Sequence, residues 1–221
     1  MKLPLILLNF KAYEESIGKK ALKLAKICEE VAKKKRVNIV IAPCLLDLEL
    51  VVKKVKIPVF AQHFDVEAGA FTGSIPILLL KKIGVKGSLI NHSEKKLKFD
   101  EIKKRVELTR KHKLINIVCA SNLREIKQIV TLRPDFIAYE PPELIGSGIP
   151  VSQAKPKIVK KAVELVEKIS SKTKVLCGAG ISSGVDVKKA IELGTKGVLI
   201  ASAFVKAKSP KKKLLELISF I

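Results

Sequence analysis

The chain has 221 residues, 48% of them hydrophobic, and carries 43 lysines and arginines against 21 acids for a formal net charge of +22. That is ample apolar material for one sizeable core, so a disordered chain is excluded, and no apolar run reaches the roughly 18 residues a membrane span needs. Cys28, Cys44, Cys119 and Cys177 lie far apart with no C-x-x-C pair, which argues against a metal site or a disulfide framework and for a reducing cytoplasm.

The first element is an apolar run, Leu5–Phe10. Met1–Asn9 has some look of a signal peptide, but the run is only about six residues long, and Asn9-Phe10-Lys11 stands where small residues should precede cleavage. A buried first strand is the better reading. From Ile17 onward, Ala21, Leu24, Ala25, Cys28, Val31 and Ala32 recur at helical spacing, with lysines at 19, 20, 23, 26, 33, 34 and 35 filling the remainder. The lysines therefore read as a solvated outer face. With two tyrosines and no tryptophan there is no stacking platform, so the charge argues more for drawing in small anions than for a nucleic-acid partner.

Further apolar runs follow at Val37–Ala42, Ile57–Gln62, Gly87–Asn91, Ile115–Ala120, Asp135–Glu140, Lys174–Gly178 and Gly197–Ala201, with helix patterns between them at Glu101–His112, Pro156–Ser170 and Val185–Leu193. Short Val- and Ile-rich strands alternating with helices predict a parallel sheet with right-handed crossovers. Eight such units, about 28 residues apart, predict an α/β fold closed as a parallel (β/α)8 barrel, one domain over 1–221 with tight connections.

In such a barrel the chemistry sits at the C-terminal strand ends. Strand 1 ends Asn9-Phe10-Lys11, where alternation puts an amide and an ammonium on one side, although Lys11 taken alone reads better as an ordinary solvated lysine. Strand 4 ends Asn91-His92-Ser93-Glu94. A histidine there either opens a helix whose dipole keeps the ring neutral or is a structural residue, while His63 and His112 lack that context. Strand 6 ends Tyr139-Glu140-Pro141-Pro142. A carboxylate at the end of an apolar strand must be paired, for instance with Lys11, or raised in pKa, and a raised pKa suits a general base. The following segment, 141–148, has prolines at its start and glycines near its end, a pattern suited to a lid. After strands 7 and 8, Cys177-Gly178-Ala179-Gly180 and Ala201-Ser202 offer small residues and the start of a short helix, as a phosphate cradle requires. The spacing G-x-G-x-x-x-G at 178–184 is not a dinucleotide fingerprint.

In chain order, Asn9-Phe10-Lys11, Gly69-Ala70-Phe71-Thr72-Gly73, Asn91-His92-Ser93-Glu94, Tyr139-Glu140-Pro141, Ile145-Gly146-Ser147-Gly148, Cys177-Gly178-Ala179-Gly180 and Gly197–Ser202 resemble the triosephosphate isomerases. The segment Glu140–Gly146 and the short chain are similar to the archaeal branch. The tryptophan of the common branch's lid is absent, with Pro142-Glu143 in its place.

The resemblance implies a TIM barrel of glycolysis and gluconeogenesis that interconverts dihydroxyacetone phosphate and glyceraldehyde 3-phosphate without cofactor or metal. Glu140 would be the base, His92 the electrophile and proton shuttle, and Lys11 and Asn9 the substrate binders. Backbone near Ile145, Gly146, Gly180, Ala201 and Ser202 would grip the phosphate. Glu94 would orient Lys11, and Ser93 would hold Glu140. Phe71 and Thr72 would enter a neighbouring subunit of a homo-oligomer, a tetramer before a dimer. Other phosphate-binding barrels of biosynthesis share the last two loops but lack the combined Asn9, Lys11, His92 and Glu140 set. A nucleic-acid binder rests on charge alone.

Overall fold

The computed structural model describes residues 3–141 and 156–221. Eight strands occur in order: β1 (Leu5–Asn9), β2 (Asn38–Ala42), β3 (Phe60–Ala61), β4 (Gly87–Ile90), β5 (Ile115–Ala120), β6 (Phe136–Tyr139), β7 (Lys174–Cys177) and β8 (Gly197–Ile200). Every strand pairs in parallel in the order β2-β1-β8-β7-β6-β5-β4-β3. The ring is completed by a parallel bridge from Ile41 to Val59, where the Ile41 N–H donates to the Pro58 carbonyl at 3.2 Å. The eight-unit barrel expected from the alternation is the fold observed.

Helices among the described residues are α1 (Lys19–Lys35), α2 (Leu45–Lys54), α3 (Ile77–Ile83), α4 (Phe99–Lys111), α5 (Leu123–Ile129), α6 (Pro156–Ile169), α7 (Gly184–Glu192), α8 (Ser202–Val205) and α9 (Pro210–Leu217). None is long and apolar enough to cross a membrane. In α1 the stripe Ala21, Leu24, Ala25, Cys28, Val31 and Ala32 is buried, and Lys19, Lys20, Lys23, Lys26, Lys33, Lys34 and Lys35 are exposed. The period of 3.6 thus separates core from charge as its sequence requires.

Strand alternation divides the apolar residues into two sets. Leu5, Leu7, Val40, Phe60, Leu89, Ile117, Phe136, Ala138, Leu176 and Leu199 are among those filling the barrel interior. Ile6, Leu8, Ile39, Ile41, Val118, Ile137, Val175 and Val198 face the helices. Gly87 makes the interior fit, since a Cβ there would lie 2.6 Å from the Phe60 ring. One more step of the same alternation puts Asn9 above Leu7 and Glu140 above Ala138, so a packed apolar plug ends in polar groups at the C-terminal rim.

Candidate active site

At that rim, an open cavity of about 490 Å³ is lined by Lys11, Tyr13, His92, Glu94, Glu140, Gly178–Ser182 and Leu199–Ala203. Lys11, His92, Glu94, Glu140, Gly180, Ala201 and Ser202, separated by up to 191 positions in sequence, therefore meet at one place. Asn9 lines an adjoining pocket of about 270 Å³ that shares Lys11, His92 and Glu94. Ser93 lines neither, Phe71 and Thr72 stand on a separate exposed loop, and Ile145, Gly146 and the segment beyond Pro141 lie outside the described residues.

Glu140 is the most constrained group. Its N–H donates to the Ala120 carbonyl at 2.8 Å, fixing the end of β6 against β5. The residue is 1% exposed, and neither carboxylate oxygen makes a well-formed hydrogen bond among the described residues, although the Cys119 thiol, the Ser93 N–H and His92 Nε2 stand close to it. Burial pushes its carboxyl up to about 7, overcoming the opposing pull of the Cys119 thiol, the Lys11 charge and the Ser93 N–H. The Ser93 hydroxyl oxygen is itself buried and has no partner among the described residues. Lys11 does not pair with Glu140: its Nζ lies 2.6 Å from Glu94 Oε1. A buried, unpaired carboxylate costs stability in its ionised form and is kept only where something else requires it.

Gly178, just past the end of β7, makes the space Glu140 occupies. A Cβ there would fall 2.6 Å from Glu140 Cγ and 3.3 Å from Oε1. Gly178→Ala is expected to lower stability by about 1–3 kcal/mol through overpacking, measured by chemical denaturation. An unchanged midpoint would mean the Glu140 side chain moves aside freely.

His92 follows a bend that Asn91 builds. Asn91 is buried with φ +62°; its Nδ2 donates to the Cys119 carbonyl at 2.9 Å and its Oδ1 accepts the Leu97 N–H at 2.9 Å. Asparagine tolerates this left-handed conformation better than most residues. The Glu94 N–H donates to His92 Nδ1 at 3.2 Å, so Nδ1 is an acceptor and the proton of a neutral ring resides on Nε2. Burial, reinforced by the Lys11 and Lys96 charges and opposed by Glu94, lowers the His92 pKa to about 4. The ring is neutral near pH 7 and directs Nε2 toward Glu140 Oε1, 3.7 Å away. His63, set apart in the sequence, pairs instead with Asp65 at 3.3 Å beside the second pocket.

Lys11 lies beyond the end of β1 with φ +49°, and its N–H donates to Asn9 Oδ1 at 3.0 Å. Strand alternation therefore stops at Asn9, and a turn delivers Lys11 to the cavity.

The opposite wall is made of small residues. Gly180 has φ +72°. The N–H groups of Ser182 and Ser183 and the Ser182 hydroxyl donate to Asp186 Oδ2 at 3.0, 2.8 and 3.0 Å. Lys213 Nζ donates to the Ser182 carbonyl at 2.8 Å, and Glu216 accepts the Gly184 N–H at 2.7 Å, so α9 braces this loop. At β8 the first helical bond of α8 runs from Phe204 to Ala201 at 3.1 Å, which leaves the Ser202 and Ala203 N–H groups outside the helix ladder. They border the same cavity as Gly180.

Sequence reasoning passed over Tyr13, Asp186, Lys213 and Gln62. Gln62 ends the third apolar run much as the amide of Asn9 ends β1, and that was the available signal.

A family model described as triosephosphate isomerase matches residues 4–221. The chain is 53% identical over 220 residues to the triosephosphate isomerase of Methanothermus fervidus, covering 99% of each chain. It is 48% identical to that of Methanocaldococcus jannaschii, over 98% of this chain and 100% of the other. With that of Methanobacterium bryantii it shares 49% identity over 99% and 97%.

Proposed function

We infer the chemistry of the site from one premise: the chain belongs to the triosephosphate isomerase family. It is an aldose-ketose isomerase that interconverts dihydroxyacetone phosphate and D-glyceraldehyde 3-phosphate. In the proposed division of labour, Glu140 takes a proton from carbon 1 of dihydroxyacetone phosphate. The C–H electron pair becomes the carbon-carbon double bond of an enediolate, and charge passes to the carbonyl oxygen. The Nε2–H of neutral His92 protonates that oxygen, and the ring then recovers a proton from the neighbouring hydroxyl. Glu140 returns its proton to carbon 2, and the aldehyde forms at carbon 1. Lys11 and Asn9 bind the substrate, and the Lys11 ammonium favours negative charge at the oxygens. Glu94 orients Lys11. Side chains alone suffice for these proton transfers.

The observation that carries this reading is the meeting of an unpaired, buried carboxylate with an imidazole whose Nε2–H faces it, beside an ammonium, in one small cavity. Proton abstraction next to a carbonyl needs a base and a donor in a site shielded from water. Backbone at Gly180, Ala201 and Ser202 is proposed to hold the phosphate, whose binding supplies energy to the reacting end.

The test is isomerisation in both directions in deuterated water. Transfer through an exchangeable carboxylic acid is expected to leave solvent deuterium on the carbon that receives the proton. A chain that turns over neither triose phosphate ends the reading.

The proposed assembly is a homo-oligomer, a tetramer before a dimer, in which the Phe71-Thr72 tip enters the neighbour's 270 Å³ pocket. Phe71 is 55% exposed and Leu46, at the start of α2, is 86% exposed, while Cys44, Leu45, Leu48 and Ile75 line that pocket beside Lys11. Such apolar groups left in water favour association. Phe71→Glu is expected to shift sedimentation equilibrium toward smaller species and to reduce kcat/KM. A fully active wild-type monomer refutes the proposed assembly. A reducing cytoplasm is the compartment proposed, in keeping with four free cysteines.

A further inference from the structure

α9 lines no part of the 490 Å³ cavity, yet two of its side chains hold the loop after β7 that does. Lys213 Nζ donates to the Ser182 carbonyl at 2.8 Å, and Glu216 Oε1 accepts the Gly184 N–H at 2.7 Å. The two side chains also hold each other, Nζ to Oε2 at 2.7 Å, three positions apart on the helix. The cation thus sits on a carbonyl and the carboxylate on an amide, the charge-assisted form of each bond. Gly184 lets the helix come this close: a Cβ there would collide with the Glu216 carbonyl oxygen and stand 2.6 Å from Ser219 Oγ.

Asp186 takes the Ser182 and Ser183 N–H groups, so with Glu216 on Gly184 three consecutive amides are bonded to side chains of α7 and α9 and are not available to an anion in the cavity. Upstream, Gly180 lines the cavity with φ +72°, and its N–H makes no hydrogen bond among the described residues. A glycine in this conformation has no side chain to restrain it, so the direction of its N–H depends on what holds its neighbours. The small-residue loop after β8 belongs to the same body. The Val205 and Lys206 N–H groups donate to the Ala201 and Ser202 carbonyls at 3.1 and 3.0 Å, and residues 206–209 join this turn directly to α9. The separation of Gly180 and Ser202 is therefore tied to the seating of one helix.

We propose that Lys213 and Glu216 are positioning residues for the substrate's phosphate, acting through the 182–184 backbone to hold Gly180 at a fixed distance from Ser202. This rests on the reading above, in which backbone at Gly180, Ala201 and Ser202 holds the phosphate. An anion bound between two loops gains fully from both only if both are already in place, and freedom left to one is lost on binding at a cost in affinity. Lys213→Met keeps most of the stem and removes the donor. Glu216→Leu keeps the chain as far as Cδ and removes the acceptor. The two side chains are 31% and 45% exposed, so neither change opens the core.

The experiment compares the wild type, Lys213→Met and Glu216→Leu in three measurements: isomerisation of glyceraldehyde 3-phosphate, isomerisation of D-glyceraldehyde, which has the same reacting carbons and no phosphate, and titration calorimetry with inorganic phosphate. Each variant is expected to lower kcat/KM for the phosphorylated substrate roughly tenfold and to weaken phosphate binding roughly three- to tenfold, with D-glyceraldehyde changed less than about twofold. An equal loss on both substrates would make the pair a general structural support and overturn the proposal, as would unchanged kinetics in both variants. The opposite charges of the two residues separate a clamp from a field. If charge alone mattered, Glu216→Leu would tighten phosphate binding by removing an acid, and that result also overturns the proposal. Lys213→Gln, whose donor falls short of the Ser182 carbonyl, should act in the same direction as Lys213→Met and covers the case in which Lys213→Met does not fold. Calorimetry needs no turnover. A wild type that binds phosphate but converts neither triose phosphate would sink the isomerase reading and leave the binding data to decide the clamp, whereas a wild type that binds no phosphate overturns the clamp itself.

Discussion

Glu140→Asp is expected to leave the barrel folded and to lower kcat by at least roughly a hundredfold, the lower end of what a positioned general base contributes. The fold survives because the carboxylate makes only loose contacts, with the Cys119 thiol, the Ser93 N–H and His92 Nε2, while the backbone N–H at this position keeps its bond to the Ala120 carbonyl. The rate falls because shortening the chain by one methylene withdraws the oxygens from a reach set by β6, and a displacement of about 1 Å can cost a hundredfold. Steady-state kinetics beside a thermal unfolding curve checks both halves. Near-normal turnover would remove Glu140 from the role of base.

The same burial gives a pH signature. With the native carboxyl pushed from 4.5 up to about 7, the folded chain holds a proton that the unfolded chain has released throughout that window. Stability should therefore fall as pH rises from 4.5 to about 7, by about 3 kcal/mol, and level off above. Glu140→Gln should abolish that slope. Activity should run in the opposite direction under the proposed role of Glu140: a general base must be ionised, so kcat/KM should climb through about 7, while His92, with its pKa near 4, is mostly neutral across the window. A native stability that does not change across this range would mean the carboxylate is better solvated than its 1% exposure implies.

Much of the barrel was legible because strands buried on both faces and amphipathic helices leave strong patterns. The run Ile115–Ala120 coincides with β5, and the apolar stripe of α1 is the buried face residue for residue. β3 was legible as an element but not in extent. The run Ile57–Gln62 shrinks to Phe60–Ala61, because Pro58 has no N–H to give a ladder and only the Ile41–Val59 bridge joins β2 to this segment. At the site, strand-end chemistry drew attention to Asn9, His92 and Glu140, and alternation gave the correct parity for Asn9. Lys11 reaches the cavity for a different reason, the left-handed turn after Asn9. Gln62 stayed hidden because its acceptors lie 20, 51 and 53 positions away, a meeting that only the closed ring produces. The tautomer of His92 was hidden likewise, since it depends on where one backbone N–H, that of Glu94, points.

That tautomer underlies the second large effect expected, His92→Gln, which should lower kcat by roughly a hundred- to ten-thousandfold while KM changes by only a few-fold. A glutamine amide can donate a hydrogen bond near the place where Nε2–H now points, so much of the ground-state contact with the substrate oxygen survives. It cannot give up that proton and take another, because an amide nitrogen is far too weak an acid and base to alternate between them. Imidazole can, and here its neutral form is secured twice: burial keeps the second proton off until about pH 4, and the Glu94 N–H occupies Nδ1. Losing the shuttle should therefore raise the barrier for moving the proton between the two oxygens without weakening binding. It should also bring more exchange of substrate hydrogen with solvent per turnover, as the enediolate waits longer with Glu140 protonated. Steady-state kinetics and deuterium incorporation measured on the same variant test this together. An effect confined to KM would reduce His92 to a binding group.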